Sequence, residues 1–262
     1  MRRAPLEVAS LALLALPFLA CSDGGPSNLS QLSFNLATRP AIAAAGASLG
    51  VASTPETYTD GTNTLVVNKV ELVMREIELR RADVASECTG GTSKSCEELE
   101  FGPVLVDLPL GSPGAARNFS VQIAPGSYDK VEFKLHRPSS SDDASFVQAH
   151  PDLENVSVRV TGTYNGSDFT YTGDFEAEEE FELNPPLTAT ETAATDLTVF
   201  VDLDRWFRDA GSTLIDPATA NPGQSNAGLV EQNIKSSLEA FEDNDHDGRD
   251  DHGGTDDGPA HQ

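Results

Sequence analysis

Between Gln31 and Leu203 the apolar residues recur mainly at every second position, the period of a strand with one face buried. Leu32, Phe34 and Leu36 alternate with polar neighbours, and Phe119, Val121 and Ile123 alternate into Pro125-Gly126. Val131, Phe133 and Leu135 alternate out of the same pair, which predicts a hairpin with its turn there. Tyr164-Asn165-Gly166-Ser167 predicts a second hairpin, because Asn-Gly suits the two positive-φ positions of a type I′ turn. Val104-Leu105-Val106, Val156/Val158/Val160, Phe175/Ala177/Phe181/Leu183 and Val199/Val201/Leu203 supply further strands. The segment 65–81 is ambiguous. Val70, Leu72 and Met74 alternate and Ile77 and Leu79 continue in the opposite phase, as a bulged strand would, while Val66, Val70, Val73 and Ile77 also fit a helical stripe. Its β-branched content favours the strand. The Ala-, Gly-, Ser- and Thr-rich stretch 41–62 reads as an exposed insertion.

Eight or nine short strands separated by turns predict a mainly β fold, an antiparallel sandwich spanning 31–224. After Ser225-Asn226, a candidate N-cap, the spacing of Val230, Ile234, Leu238 and Phe241 predicts one C-terminal helix over 225–242. An acidic tail, 243–262, follows it.

The N-terminal pattern is of another kind. Arg2 and Arg3 precede an apolar run of twelve residues, Val8 to Leu19, which ends in Phe18-Leu19-Ala20-Cys21. A membrane-spanning helix needs roughly 20 apolar residues, so the run reads as an export signal, 1–20, that is removed. It resembles bacterial lipoprotein signals, in which the cysteine becomes the acylated first residue, although Phe18 and Leu19 stand where a Leu and a small residue are usual. The resemblance implies lipidation of Cys21, a flexible tether over 21–30, and a cell-envelope address. Ser22 after the cysteine implies the outer membrane.

That address changes the reading of the other two cysteines. With Cys21 lipidated, Cys88 and Cys96 remain as one pair around a Gly/Ser/Thr/Lys loop, and an oxidising compartment permits a disulfide between them. The net charge of −25 becomes −26 once Arg2, Arg3 and Glu7 leave with the signal. Such a surface repels phosphates, which excludes a nucleic-acid partner and favours cations and basic partners.

The strongest candidate chemistry lies in the tail. Asp243, Asp245 and Asp247 occupy positions 1, 3 and 5 of a loop with Gly248 at 6, Arg249 at 7 and Asp251 at 9. This spacing converges oxygens on one hard cation and resembles the Asp-x-Asp-x-Asp-Gly loops of calcium-binding repeats. Gly254 stands where an EF-hand carries its bidentate Glu, so weak Ca²⁺ binding is one reading and a solvated acidic tail the other. Glu176, Glu178, Glu180 and Glu182 share a strand face, with Glu179 on the apolar side, which predicts a bulge there. Trp206 and Phe207 read as core aromatics closing one end of the sandwich, and Tyr128 as a corner tyrosine. The histidines lack metal-ligand spacing, and no nucleophile motif is present.

Leu65-Val66-Val67-Asn68-Lys69-Val70-Glu71-Leu72, Val104 to Leu108, and Ala124-Pro125-Gly126-Ser127-Tyr128 together resemble domain of unknown function 4382, as do Gly162 to Gly166 and Asn233-Ile234-Lys235-Ser236-Ser237. That family occurs in bacterial surface lipoproteins. The resemblance implies an immunoglobulin- or transthyretin-like sandwich and brings no activity with it. The resulting expectation is a lipid-anchored, non-catalytic binding or structural protein facing an unknown protein or glycan. The alternatives are a calcium-dependent adhesin or assembly factor, and a glycan hydrolase built on Asp202, Asp204 and Glu191.

Overall fold

A computed structural model of the chain describes residues 29–38, 54–82, 96–111, 116–192 and 194–243, without the side chains of 96–101 and 116–118. The strands are β1 (Ser30–Ala37), β2 (Glu56–Thr59), β3 (Thr64–Arg81), β4 (Cys96–Asp107), β5 (Ala116–Ile123), β6 (Gly126–Leu135), β7 (Val158–Tyr164), β8 (Ser167–Gly173), β9 (Ala177–Ala189), β10 (Thr195–Val201) and β11 (Leu238–Glu242). Two short helices, α1 (Ala144–Ala149) and α2 (Ala227–Lys235), accompany them. The mainly β sandwich expected from the alternation is present. A four-stranded sheet, in the order β11-β10-β1-β5, packs on a seven-stranded sheet ordered β8-β7-β3-β6-β9, in which β2 and β4 also pair with β3. One pair departs from the antiparallel expectation: β1 runs parallel to β10, with Phe34 opposite Leu197.

The alternating residues fill the space between the sheets. Leu32, Phe34 and Leu36 from β1 and Leu197, Val199 and Val201 from β10 are buried with Val70, Ile77, Leu79, Val131 and Val160 of the opposite sheet. Each such side chain stabilises the fold by roughly 1.5–3 kcal/mol relative to exposure. The Phe34 ring meets the Phe133 ring edge-on at 6.2 Å and so ties the two sheets directly.

The segment 65–81 is a strand throughout, and its change of phase is an irregularity in pairing between Met74 and Glu76. The irregularity has a purpose in the architecture. Val73 N donates to Ser157 O and Val73 O accepts from His136 N, so both groups serve the same edge of β3. Along that edge β7 pairs with Leu65 to Leu72 and β6 with Met74 to Arg81, and the two strands part at Val73. The connection carrying α1 fills the fork: Phe146 and Leu153 pack on Val73 from outside the main core.

Three local expectations need correction. β5 and β6 do not form a hairpin, because β5 pairs with β1 in one sheet and β6 with β3 and β9 in the other. Ala124-Pro125-Gly126 is a corner between sheets, held by Tyr128 Oη donating to Ala124 O (2.7 Å) and Arg81 Nη2 donating to Pro125 O (3.2 Å). A strand folding over into the facing sheet keeps its apolar face to the core, so periodicity alone does not distinguish the two arrangements. The C-terminal helix predicted over 225–242 ends at Lys235, and Leu238 to Glu242 form β11 against β10. Leu238 and Ala240 also fit a two-residue period, and the open edge of β10 takes up that alternative. Asn226 occupies the N-cap position, yet its side chain donates to Thr219 Oγ1 (2.8 Å) instead of capping. Finally, β9 pairs in register past Glu179. Its irregularity lies between Glu182 and Leu187, around the cis Asn184–Pro185 bond.

The second hairpin forms as predicted: β7 and β8 pair from Tyr164 and Ser167, with φ of 51° at Asn165 and 81° at Gly166. Trp206 and Phe207 are core residues. Within the stretch read as an insertion, 56–59 pairs as β2 with the start of β3. No helix among the described residues is long and apolar enough to cross a membrane.

Candidate functional site

The outer face of the large sheet carries most of the ordered charge, arranged by register. Glu71 lies between Asp107 on β4 and Arg159 on β7. Its carboxylate, 3% exposed, receives Lys69 Nζ at 2.6 Å and Arg159 Nε at 2.5 Å. Burial pushes the Glu71 carboxyl up, but the hydrogen bonds and charges of Arg159 and Lys69 outweigh it and hold the group below its ordinary range. Arg159 also bonds Asp152, and its guanidinium is correspondingly held in the charged form.

Further along the same face, Glu78, Glu132 and Glu180 form a row across β3, β6 and β9. Lys134 Nζ stands beside Glu76 (3.2 Å), Glu132 (3.6 Å) and Glu178 (3.7 Å), and Lys130 Nζ pairs with Glu180 at 2.7 Å. Of the glutamates read as one strand face, Glu178 and Glu180 therefore meet lysines on β6, while Glu182 lies 3.7 Å from Arg80 Nη2 and Glu176 3.7 Å from His136 Nδ1. Burial, then the hydrogen bond and charge of Glu178, push the Glu132 carboxyl up to about 7 against the pull of Lys134. Glu132 thus holds its proton more tightly in the fold than in the unfolded chain. Its contribution to stability is full below pH about 4.5 and is lost as the pH rises through about 7. Glu132→Gln should leave stability unchanged at about pH 4 and raise it at pH 8 by about 1 kcal/mol, a figure reduced for solvent screening. Urea unfolding at the two pH values measures the difference.

At the fork, His136 Nε2 lies 2.7 Å from Asp143 Oδ2, with Arg75 Nη1 3.8 Å from Asp143 Oδ1. Asp143 also accepts from Ser139 N, so it anchors the connection that enters α1. Ser139 Oγ bonds Ser141 and Asp142. The pair therefore orients the loop that enters α1. Sequence reading passed over His136, whose partner stands seven residues away in no recognised spacing.

The sites expected from the sequence are distributed as follows. Cys21 and Cys88, and the side chain of Cys96, lie outside the described residues; the backbone of Cys96 opens β4. Asp245, Asp247, Arg249 and Asp251 lie outside them too. Asp243 is described, and it is buried just beyond β11, where its Oδ2 accepts from Thr198 Oγ1 at 3.0 Å. Among the described residues, no three His, Cys, Asp or Glu side chains converge as a metal centre.

For the hydrolase alternative, Asp202 caps the turn after β10 by accepting from Asp204 N. Asp204 is held by Arg208 Nε (3.2 Å) and Nη2 (2.6 Å). Glu191 is exposed in the turn after β9. Burial pushes the carboxyls of Glu132 and Glu179 upward, and these stand on other strands. Near Arg208 an open depression of about 540 Å³ is lined by Thr59, Asp60, Asn63 and Thr213. Asp60 is already engaged there by the backbone N–H groups of Thr62, Asn63 and Leu214.

No family model matches the chain. No curated protein matches it either. Among solved structures, MbnP from Methylosinus trichosporium is similar over 77% of this chain and 86% of that one, at 15% identity and a TM-score of 0.37.

Proposed function

We propose that the chain is a lipid-anchored, non-catalytic binding protein of the bacterial cell envelope, held by acyl chains on Cys21 and presenting its sandwich to an extracytoplasmic protein or glycan. The observation that carries this reading is the leader: two arginines, a twelve-residue apolar run and Cys21, followed by a polar spacer that ends where β1 begins at Ser30. Stable anchoring takes more than one acyl chain, which a lipoprotein cysteine carries. The resemblance to domain of unknown function 4382 supports the same address. The acidic charge supports a partner that is neutral or basic. The non-catalytic part of the reading draws on Asp202 and Asp204, whose carboxylates serve a cap and an arginine clamp.

Cys21→Ser decides it. Wild-type protein should fractionate with membranes and yield an N-terminal peptide whose mass carries acyl chains. The serine variant should move to the soluble fraction, and globomycin should block maturation of the wild type. An unmodified Cys21 in material recovered from the medium, or unchanged fractionation of the variant, would overturn the proposal.

A further inference from the structure

In the turn that leaves β10, one cation stands apart from the rest. Every other Lys or Arg side chain among the described residues makes an ion pair or a hydrogen bond. Arg205, at the end of the turn Leu203–Arg205, makes neither among the described residues, and it is exposed. A guanidinium left unpaired on a chain of net charge −25 is the exception to be explained. Arg205 lines an open depression of about 320 Å³ together with Leu229 and Gln232 of α2. Leu229, 37% exposed, is with Leu29 one of the large apolar side chains left open to solvent among the described residues. Gln232 is exposed too, and its side chain makes no hydrogen bond among those residues. The rest of the wall is already committed. Arg208 is neutralised by Asp204 through Nε and Nη2, and Asp209 Oδ1 accepts from Gly211 N and Thr213 N. Asn233 Nδ2 donates to Trp206 O and Arg208 O, which ties this loop to α2.

We infer that this depression binds the C-terminal carboxylate of a peptide or protein chain. Arg205 pairs with the carboxylate, Leu229 packs on an apolar last side chain, and Gln232 bonds the amide that precedes it. The assignment follows from the three uncommitted groups. A guanidinium fork meets a carboxylate through two parallel hydrogen bonds. One uncompensated positive charge, with Asp209 on the same wall, matches a monoanion, whereas a phosphate dianion calls for more cations than the wall supplies. Gln232 offers both a donor and an acceptor, as an amide bond requires. The volume lies at the small end of the range for ligand sites, with room for about one or two residues. At longer range the acidic surface repels anions, so the residues upstream of the terminus should be neutral or basic. The committed groups fix the wall before a ligand arrives, which keeps the cost of ordering low. The inference deepens the binding role proposed above by naming the class of ligand; it rests on that role and not on the anchor at Cys21.

Titration of N-acetyl-Lys-Ala-Leu into the isotope-labelled full chain, followed by NMR at the Gln232 side-chain amide and the Arg205 Nε–H, tests the inference. Wild type should saturate with a Kd of roughly 0.1–1 mM. The C-terminal amide of the same peptide should bind about 10-fold more weakly, although the acidic surface attracts its extra positive charge. Arg205→Gln should weaken binding about 10-fold, and Arg205→Lys should recover little of it, because an ammonium lacks the fork. Both variants change an exposed turn residue and should melt at the wild-type temperature. Arg137→Gln removes an exposed guanidinium on another loop and should bind like wild type. Deletion of 244–262 should leave the affinity unchanged. No saturation at about 10 mM peptide, equal binding of acid and amide, or equal binding by wild type and Arg205→Gln would each overturn the inference. Binding about 10-fold tighter after the deletion would overturn it too, by assigning Arg205 to the acids of the chain's own tail. Fractionation of Cys21→Ser reads the anchor separately, so either proposal can fail without the other.

Discussion

Trp206→Ala should destabilise the protein by about 3–5 kcal/mol, the range for removing a buried Trp or Phe from a core. Trp206 is 1% exposed at the end of the turn that leaves β10. Its indole Nε1 donates to Ser237 Oγ at 2.6 Å, and its carbonyl accepts from Asn233 Nδ2 at 3.1 Å. The residue therefore fastens the end of β10 to α2 and to the start of β11. Two milder changes separate packing from hydrogen bonding. Trp206→Phe keeps a large apolar body and should cost about 1–2 kcal/mol. Ser237→Ala leaves the indole N–H buried without a partner and should cost about 1–3 kcal/mol. Urea unfolding followed by circular dichroism measures all three, since the sole tryptophan is lost in two of them. A loss under 1 kcal/mol for the alanine variant would show that this end of the sandwich is not packed as described.

Glu71→Ala should cost about 3 kcal/mol, at the lower end of the range for breaking a buried ion pair. The lower end applies because Arg159 keeps Asp152 as a partner. The loss should also depend on pH. Because the folded protein holds Glu71 below its ordinary value, the carboxylate's contribution is present above pH about 4.5 and fades as the pH falls through the folded value. The variant should accordingly lose part of the acid-side slope of wild-type stability. Combining Glu71→Leu with Arg159→Met should recover most of the loss, since apolar side chains of similar volume often replace a buried pair without penalty. Equal instability of the double variant and Glu71→Ala would instead locate the effect in strand packing.

The strands were legible wherever one face met the core and the other met water. Phe34, Val131 and Val160 announced themselves by period, and Asn165-Gly166 announced the turn between β7 and β8 by its backbone demands. The sheet to which each strand belongs was not legible. The apolar face of β5 and that of β6 point into the same interior from opposite sides, and only the corner at Tyr128 separates that case from a hairpin. Leu238 satisfies a helical and an extended period at once, so the unpaired edge of β10 decided its fate. The polar side of β1 was less legible still, for Ser33 and Asn35 are both buried. Ser33 and Asn35 look like the wet side of a half-buried strand, and nothing local in the sequence says that this side is closed. Asp243 drew attention through its aspartate neighbours, whereas its described partner, Thr198, stands in a strand far upstream.

The place of β1 between β5 and β10 has a consequence for the order of assembly. Chains are delivered N-terminus first, and the pairing of Phe34 with Leu197 spans most of the molecule. Contacts so distant in sequence form late, after the entropy of closing a long loop has been met. Until β10 emerges, Leu32, Phe34 and Leu36 have lost their eventual shelter on one edge, and exposed strands of this kind invite association with other chains. The smaller sheet is therefore completed last, and the interval before its completion is when the newborn molecule is most exposed to misassembly.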